Sequence, residues 1–150
     1  EEKGKLLRWF SISRAVVESL PGCVFLVRDT LGLDMRPWQQ LFQAATGVQI
    51  DYEEFLRAGE RVLNLERAFN VREGYRRVDD RLPYRMSHEA VPRFNFPPVT
   101  QAVLDGMLDE YYTANGWDLA TSIPKEQKLI ELGLEDVAVA LRGLTEEAKR

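Results

Sequence analysis

The stretch DYEEFLRAGERVLNLERAFNVREG, residues 51–74, decides the fold because it predicts one long helix with both of its ends. Asp51 and Glu54 have the spacing of an N-terminal capping box, with Asp in the place usually held by Ser or Thr. Apolar residues then recur at the helical steps of three and four. They are Phe55, Ala58, Val62, Leu65 and Phe69. Gly74 predicts the end of this helix at about Glu73.

Similar signals occupy most of the chain on either side of this stretch. An apolar stripe that includes Leu6, Leu7, Phe10, Val17 and Leu20 predicts a first helix, which Pro21-Gly22 ends. A second helix is predicted after Asp34, with Gly47 as a left-handed cap. Further helices are predicted from about Thr100 to Asn115 and in GLEDVAVALRGL, residues 133–144. Ser122 is expected to cap a short helix that has Pro124 in its first turn.

The remaining segments show no strand-turn-strand pattern. Tyr75 to Pro98 holds several prolines and no clear period, so it is predicted to be a long loop. Cys23 to Leu33 also lacks a helical period and fits either a short buried strand or an ordered loop. We therefore predict an all-α class: an irregular multi-helix domain with one long proline-containing loop. Residues 1–150 are expected to form a single helical domain.

Composition excludes several classes of function. The chain has 150 residues, and its net charge of −4 argues against a general nucleic-acid binder. No apolar run approaches the length of a membrane span. A single cysteine cannot form an internal disulfide, which indicates a reducing, cytoplasmic setting. The chain begins EEKGK without an initiator methionine, so we expect either a sequence from which a tag was trimmed or a fragment of a longer polypeptide.

The residues alone suggest no complete catalytic constellation. Cys23 and His88 are the only cysteine and histidine, and they could in principle form a thiol–imidazole pair. A lone cysteine is commonly a small buried hydrophobe, but Cys23 follows a helix-ending Pro-Gly, where loop amides can stabilise a thiolate. The arginine-rich segment, residues 60–83, fits either a solvated salt-bridged face or a surface for a phosphate group or another domain.

Long stretches of the sequence resemble one known family. TGVQIDYEEFLRAGERVLNLERAFNVREGYRRVDDRLPYR, residues 46–85, is similar to the C-terminal domain of the tungsten-containing aldehyde ferredoxin oxidoreductase family. LDGMLDEYYTANGWD and IPKEQKLIELGLEDVA, residues 104–118 and 123–138, resemble the end of that domain, in the same order. GERVLNLERAFNVREG is long enough to be a specific signature.

The resemblance implies a three-domain enzyme subunit, of which this chain would be the C-terminal domain. In the family, two pterin dithiolenes hold tungsten (a bis-molybdopterin tungsten centre, or tungstopterin). A 4Fe-4S cluster beside one pterin passes electrons to ferredoxin. Three cluster cysteines come from a CxxCxxxC run in another domain. The fourth comes from a motif of the form Asp-x-x-Gly-Leu-Cys, whose Asp contacts a pterin.

Two alignments to that motif are open. Aligning Glu18-Ser19-Leu20-Pro21-Gly22-Cys23 with it makes Cys23 the fourth cluster ligand and puts Glu18 where the pterin-contacting Asp stands. The other alignment places DTLGLD, from Asp29 to Asp34, on the motif, but it ends in a carboxylate. Thiolate is the usual ligand of iron–sulfur clusters. We therefore favour the alignment through Cys23.

The resemblance implies that the parent enzyme oxidises aldehydes to carboxylic acids. One thiol cannot hold a four-iron cluster, so the 150-residue chain alone is expected to carry no cofactor and to be inactive. Its expected partners are the remaining domains of the parent subunit and ferredoxin, with a homodimer of the parent also possible. The alternative is a stand-alone helical interaction module without redox activity. The substrate, and the choice between tungsten and molybdenum, are not readable from these residues.

Overall fold

Helices and loops make up the described part of the protein, which is residues 2–20, 22–23, 25 and 34–147 of a computed structural model. The helices of that part are α1 (Lys3–Ser19), α2 (Arg36–Thr46), α3 (Tyr52–Arg72), α4 (Tyr84–His88), α5 (Gln101–Asn115), α6 (Glu126–Glu131) and α7 (Glu135–Glu147). Extended pairing among these residues is limited to two isolated bridges, Val91 with Phe96 and Trp117 with Pro124. The predicted all-α class is confirmed.

The long helix α3 ends where its capping residues predict. The Asp51 carboxylate accepts a hydrogen bond from the Glu54 amide at 2.8 Å, which satisfies a backbone donor that the first helical turn leaves unpaired. Gly74 follows the helix with a φ of 99°, in the left-handed region that glycine adopts without strain. Gly47 caps α2 in the same region, as predicted, with a φ of 73°.

Helix α1 crosses α3 and α5 at very short range, and a glycine makes each crossing possible. A Cβ on Gly59 of α3 would lie 2.5 Å from the Ile12 carbonyl oxygen and 2.5 Å from Val16 Cγ2. A Cβ on Gly4 of α1 would lie 2.5 Å from Cβ of Glu110. The backbones therefore approach more closely than any larger residue would allow, and α1 is held between two helices.

Two separate apolar clusters form the core of the described part. The first lies where α1, α2 and α3 meet, and the second lies between the end of α3 and the α6–α7 hairpin. The first consists of Val16, Val17, Met35, Trp38 and Phe55. The second consists of Ala68, Val71, Ile123, Leu129, Ala138 and Leu141.

The buried faces of α1 and α3 differ from the predicted apolar stripes. Leu6, Leu7 and Phe10 of α1 are exposed, and so are Leu65 and Phe69 of α3. The buried face of α3 instead carries Phe55, Gly59, Asn64, Arg67, Ala68 and Val71. Asn64 and Arg67 are buried on this face because their polar groups have hydrogen-bond partners there. Leu65 and Phe69 lie on the exposed face of the same helix.

The expected role of Ser122 is wrong. Lys125, not Ser122, precedes the first residue of α6. Ser122 is fully buried and has a φ of 65°, which is uncommon for a residue that is not glycine. Its carbonyl oxygen and hydroxyl both accept hydrogen bonds from Arg67 of α3.

The predicted loop between Tyr75 and Pro98 contains three short helical pieces. They are a 3-10 turn at Arg77–Asp79, helix α4, and a second 3-10 turn at Pro92–Phe94. Phe94 and Phe96 remain exposed and face each other with ring centroids 6.0 Å apart. Across the described residues, none of the helices has both the length and the apolar character that a membrane span requires.

Candidate functional site

The chain turns sharply after α1 and presents Cys23 to solvent. Leu20 leaves the helical conformation, with φ −103° and ψ 153°, and its amide donates to the Val17 carbonyl oxygen at 3.1 Å. The Gly22 amide then donates to the Leu20 carbonyl oxygen at 2.6 Å, closing a tight turn. Cys23 follows immediately and is an exposed free cysteine. A metal centre outside the chain can therefore reach its sulfur.

Of the two carboxylates predicted to bind a pterin, the structure describes Glu18 but not Asp29. Glu18 lies in the last turn of α1 and is exposed, and its carboxylate accepts from Arg14 Nε at 2.6 Å. Because this i to i+4 pair is at the surface, it leaves the carboxylate accessible. Asp29, the residue of the alternative alignment, lies outside the described residues. Its end point Asp34 is described, and its carboxylate accepts from the Arg36 amide at 3.0 Å.

Cys23 fits the role of a single ligand rather than of a complete metal site. Within the ranges that the structure describes, no three side chains of the His, Cys, Asp and Glu types are grouped so that they could share a metal ion. The accessible thiol next to a broken helix suits a cluster whose other ligands come from elsewhere. His88 makes its described contacts with Tyr84, on which its ring stacks at a centroid distance of 4.0 Å.

A tryptophan packs directly against the turn that carries Cys23. Trp38 of α2 is 7% exposed and belongs to the first apolar cluster. A Cβ on Gly22 would lie 2.7 Å from Cη2 and 2.7 Å from Cζ3 of this indole ring, and 3.3 Å from Val17 Cγ1. The edge of the ring thus touches the backbone of the residue that precedes the thiol.

The centre of the arginine-rich segment is buried, which sequence reasoning missed. Arg67 is 8% exposed and forms a two-pronged ion pair with Asp80, at 3.1 Å and 2.6 Å. Its Nε donates to the Ser122 carbonyl oxygen at 3.1 Å, and its Nη2 also bonds the Ser122 hydroxyl. One guanidinium therefore joins α3 to two loops through four hydrogen bonds within the chain.

Aromatic rings enclose this ion pair. The Arg67 guanidinium lies 5.0 Å from the Trp117 ring centroid and 5.7 Å from that of Tyr112. The Tyr112 hydroxyl donates to Asp80, while Trp117 Nε1 donates to Oδ1 of the fully buried Asn64 at 2.8 Å. Burial and then the hydrogen bond to Asp80 raise the pKa of Tyr112 well above its ordinary value. The hydroxyl stays protonated and continues to donate.

A second, part-buried charge cluster links α1, α3 and α6. Glu60 Oε1 lies 2.6 Å from Arg8 Nη2 and 2.8 Å from Lys128 Nζ. Burial alone would raise the pKa of Glu60, but the hydrogen bond from Lys128 and the charge of Arg8 outweigh it, so this pKa is lowered. The carboxylate is therefore charged at neutral pH and holds three helices together.

The arginine-rich segment is therefore largely committed to the chain's own structure. Besides Arg67, Arg61 donates to the Leu132 carbonyl oxygen at 2.8 Å, and Arg77 donates to Asp109 at 2.6 Å. These contacts tie α3 and the loop after it to α5 and α6. They use donors that a phosphate group would need, so they favour an internal role for these arginines over ligand binding.

Comparison with known proteins decides the family. A sequence profile described as aldehyde ferredoxin oxidoreductase, domains 2 and 3, matches residues 1–134. This chain belongs to the aldehyde ferredoxin oxidoreductase family. The resemblance found in residues 46–138 is thereby confirmed, and with it a place in a family of oxidoreductases.

Tungsten-containing aldehyde ferredoxin oxidoreductases are among the relatives of the chain. The enzyme of Pyrococcus furiosus is 37% identical over 138 residues, and that of Thermococcus kodakarensis is 34% identical over the same length. Each alignment covers 91% of this chain but only 22% of the relative. The chain thus spans less than a quarter of the length of these aldehyde ferredoxin oxidoreductases.

A solved structure shares the fold. It is the active-site complex BamBC of benzoyl coenzyme A reductase, in complex with 1,5-dienoyl-CoA. The match has a TM-score of 0.78 and 26% identity, and it covers 94% of this chain and 21% of that one. A similar helical fold therefore occurs in a reductase complex whose name refers to benzoyl coenzyme A.

Proposed function

We propose that this chain is the C-terminal domain of a tungstopterin and iron–sulfur oxidoreductase. The observation that carries the proposal is the exposed Cys23 at the end of α1, in a chain that belongs to the aldehyde ferredoxin oxidoreductase family. In this proposal Cys23 is the fourth thiolate ligand of a 4Fe-4S cluster whose other three ligands lie outside the chain. When bound, the tungsten centre carries out the two-electron chemistry, and the cluster passes electrons on one at a time.

The residues of this chain act by holding and orienting. The turn at Gly22 leaves Cys23 exposed, and the nearby backbone amides are proposed to help set the potential of the iron–sulfur cluster. Glu18 is proposed to accept a hydrogen bond from a pterin. Its pairing with Arg14 is solvent-exposed and therefore weak enough to be exchanged for that contact.

The proposed substrate is an aldehyde. The overall reaction converts an aldehyde and water into a carboxylic acid with release of two protons and two electrons, and the electrons go singly to ferredoxin. The relatives at 34–37% identity support this class, whereas the benzoyl-CoA reductase neighbour at 26% identity supports a CoA thioester. Assays with aldehydes and with benzoyl-CoA on the full-length gene product distinguish the two substrate classes.

The proposed partners are the remaining domains of the parent subunit, with ferredoxin as electron acceptor and a cytoplasmic location. Exposed apolar side chains such as Leu65, Phe69, Phe94 and Phe96 provide contact area for those domains. A homodimer of the parent is a further expectation. The isolated 150-residue chain is expected to be inactive, because it contributes one thiol to a cluster that takes four.

Anaerobic purification of the full-length gene product tests the proposal. Iron and tungsten are measured in the unmodified protein and in Cys23→Ala and Glu18→Gln variants. We expect Cys23→Ala to lose iron and the electron paramagnetic resonance signal of a reduced four-iron cluster, because it removes one of four ligands.

The controls separate the competing interpretations. His88→Ala should leave the iron content unchanged, since its described contacts lie with Tyr84. Unchanged iron in Cys23→Ala would contradict the ligand role and favour the alignment through Asp29. A folded full-length product without iron or tungsten would instead favour the stand-alone helical interaction module.

A further inference from the structure

Trp38 touches the site that carries Cys23 although it lies 15 positions further along the chain. Its indole is buried in the first apolar cluster, among Val17, Met35 and Phe55. The edge formed by Cη2 and Cζ3 lies so close to Gly22 that even one methyl group there would be only 2.7 Å from either atom. A ring that is packed on its other sides cannot move away easily.

The indole nitrogen of Trp38 strengthens this argument. Trp38 Nε1 is buried and has no hydrogen-bond partner among the described residues. Buried indole N–H groups usually find a partner, and an unpaired one costs free energy. A phenylalanine would fill much of the same space without this cost. The residue therefore contributes through the shape and reach of its second ring, which is the part that touches Gly22.

We propose that Trp38 is a positioning residue for Cys23: its ring edge holds the Gly22 backbone at the end of α1 and so fixes the place and direction of the thiol. This inference deepens the proposed function and rests on it where the cluster is concerned. The packing itself does not depend on the cluster, since Gly22, Trp38 and Val17 all belong to this chain.

A double-variant cycle in the 150-residue chain tests the contact. Gly22→Ala adds the clashing methyl group, and Trp38→Phe removes the two ring atoms that it would meet. We expect Gly22→Ala alone to lower the folding equilibrium constant by about tenfold, the size typical of an overpacked site. In the Trp38→Phe background the same change should have little effect, because the two substitutions are coupled.

A second measurement follows the cysteine itself. Cys23 is the only cysteine, so a nitroxide label attaches there without further engineering. We expect Gly22→Ala to make the label more mobile in the folded protein. Its rotational correlation time should become about twofold shorter. The double variant should return to the spectrum of Trp38→Phe alone. Gly106→Ala, at a site with open space around it, is the matched control and should alter neither label motion nor the Gly22 coupling.

The outcomes separate this inference from the proposed function. Equal effects of Gly22→Ala in both backgrounds, or lower stability with an unchanged label spectrum, would overturn the positioning role. If Gly22→Ala alone does not fold, the comparison of Trp38→Phe with the double variant decides, and a double variant that also fails to fold counts against the proposal. Iron retained in Cys23→Ala of the full-length product refutes the ligand role alone and leaves the positioning result standing.

Discussion

At the scale of single residues, Arg67 joins three parts of the chain through one guanidinium group. It connects α3 to Asp80 in the following loop and to Ser122 in the loop before α6. A buried charge is tolerated only when it is paired and its donors are satisfied. The two-pronged pair with Asp80 and the bonds to Ser122 meet both conditions, so removing the guanidinium leaves several groups unpaired at once.

Replacing Arg67 is therefore expected to be costly. Arg67→Met should reduce the free energy of unfolding by about 3 kcal/mol, because it removes the cationic partner of the part-buried Asp80 carboxylate. Urea denaturation measures the change. Arg72→Met is the matched control: Arg72 is exposed, pairs with its neighbour Glu73 and lies 4.9 Å from the Phe69 ring centroid, so its loss should be below about 1 kcal/mol. Equal losses in the two variants would contradict the role of Arg67.

Glu60 leads to a prediction about acid stability. Its pKa is lower in the folded protein than its ordinary value of 4.5, so the folded state binds this proton less readily than the unfolded state. The resulting stability is present above about pH 4.5 and is lost as the pH falls through the lowered value. Glu60→Gln should therefore flatten the decrease of the free energy of unfolding below pH 4.5. An unchanged slope in denaturation curves between pH 3 and 6 would count against it.

The burial of Asn64 and Arg67 was not predictable from the helix pattern. Both are polar, and their spacing placed them with the solvated residues of α3. Their hydrogen-bond partners in the interior are distant in sequence. Asn64 accepts from Trp117, 53 positions further along, and Arg67 donates to Ser122, 55 positions further along. A local period contains no information about such distant partners. The long signature GERVLNLERAFNVREG identified the family without showing that two of its polar residues face inward.

At the scale of helices, the close crossings of α1 with α3 and α5 depend on backbone contact. Gly59 and Gly4 stand where a side chain would overlap the neighbouring helix. In a helix interior glycine costs about 1 kcal/mol relative to alanine. The chain accepts that cost at these crossings because backbone approach brings more apolar surface together.

Alanine at two different glycines should consequently have opposite effects. Gly59→Ala should destabilise by about 2 kcal/mol, since its methyl group would overlap the Ile12 carbonyl oxygen. Gly106→Ala in α5 has open space around it and should stabilise by about 0.5–1 kcal/mol through helix propensity. Thermal or urea unfolding of both variants checks this. A stabilising Gly59→Ala would show that the crossing is looser than the structure describes.

Helix ends were the most predictable feature of the fold. Asp51, Gly47 and Gly74 act through bonds and dihedral angles within a few residues, so local sequence contains all the necessary information. The end of α1 was predicted equally well by Pro21-Gly22. The contact of Trp38 with Gly22 was not, because it depends on how α2 packs after a segment without any helical period.

At the scale of the whole molecule, the described residues include many exposed large apolar side chains. Leu65 and Phe69, one turn apart on α3, are 49% and 54% exposed. Exposed apolar patches on this scale commonly mark contact sites. Since the chain spans 22% of the length of the aldehyde ferredoxin oxidoreductases it matches, the proposal assigns this area to the rest of the subunit.

The proposed interdomain surface can be tested by comparing two forms of the protein. The double variant Leu65→Gln, Phe69→Gln should change the free energy of unfolding of the 150-residue chain by less than about 1 kcal/mol, as exposed positions usually do. The same pair of changes should lower the melting temperature or the metal content of the full-length product. Full metal content and an unchanged melting temperature there would exclude this face of α3 from the interface.

The close packing of α1 has a consequence for the proposed electron transfer. Helix α1 packs closely against its neighbours at Gly4, near one end, and against Gly59 of α3 in its middle. Cys23 lies just beyond the C-terminal end of this helix. In the proposed function, a fixed Cys23 would hold the cluster at a constant distance from its electron donor and acceptor, and electron tunnelling rates fall steeply with each added ångström.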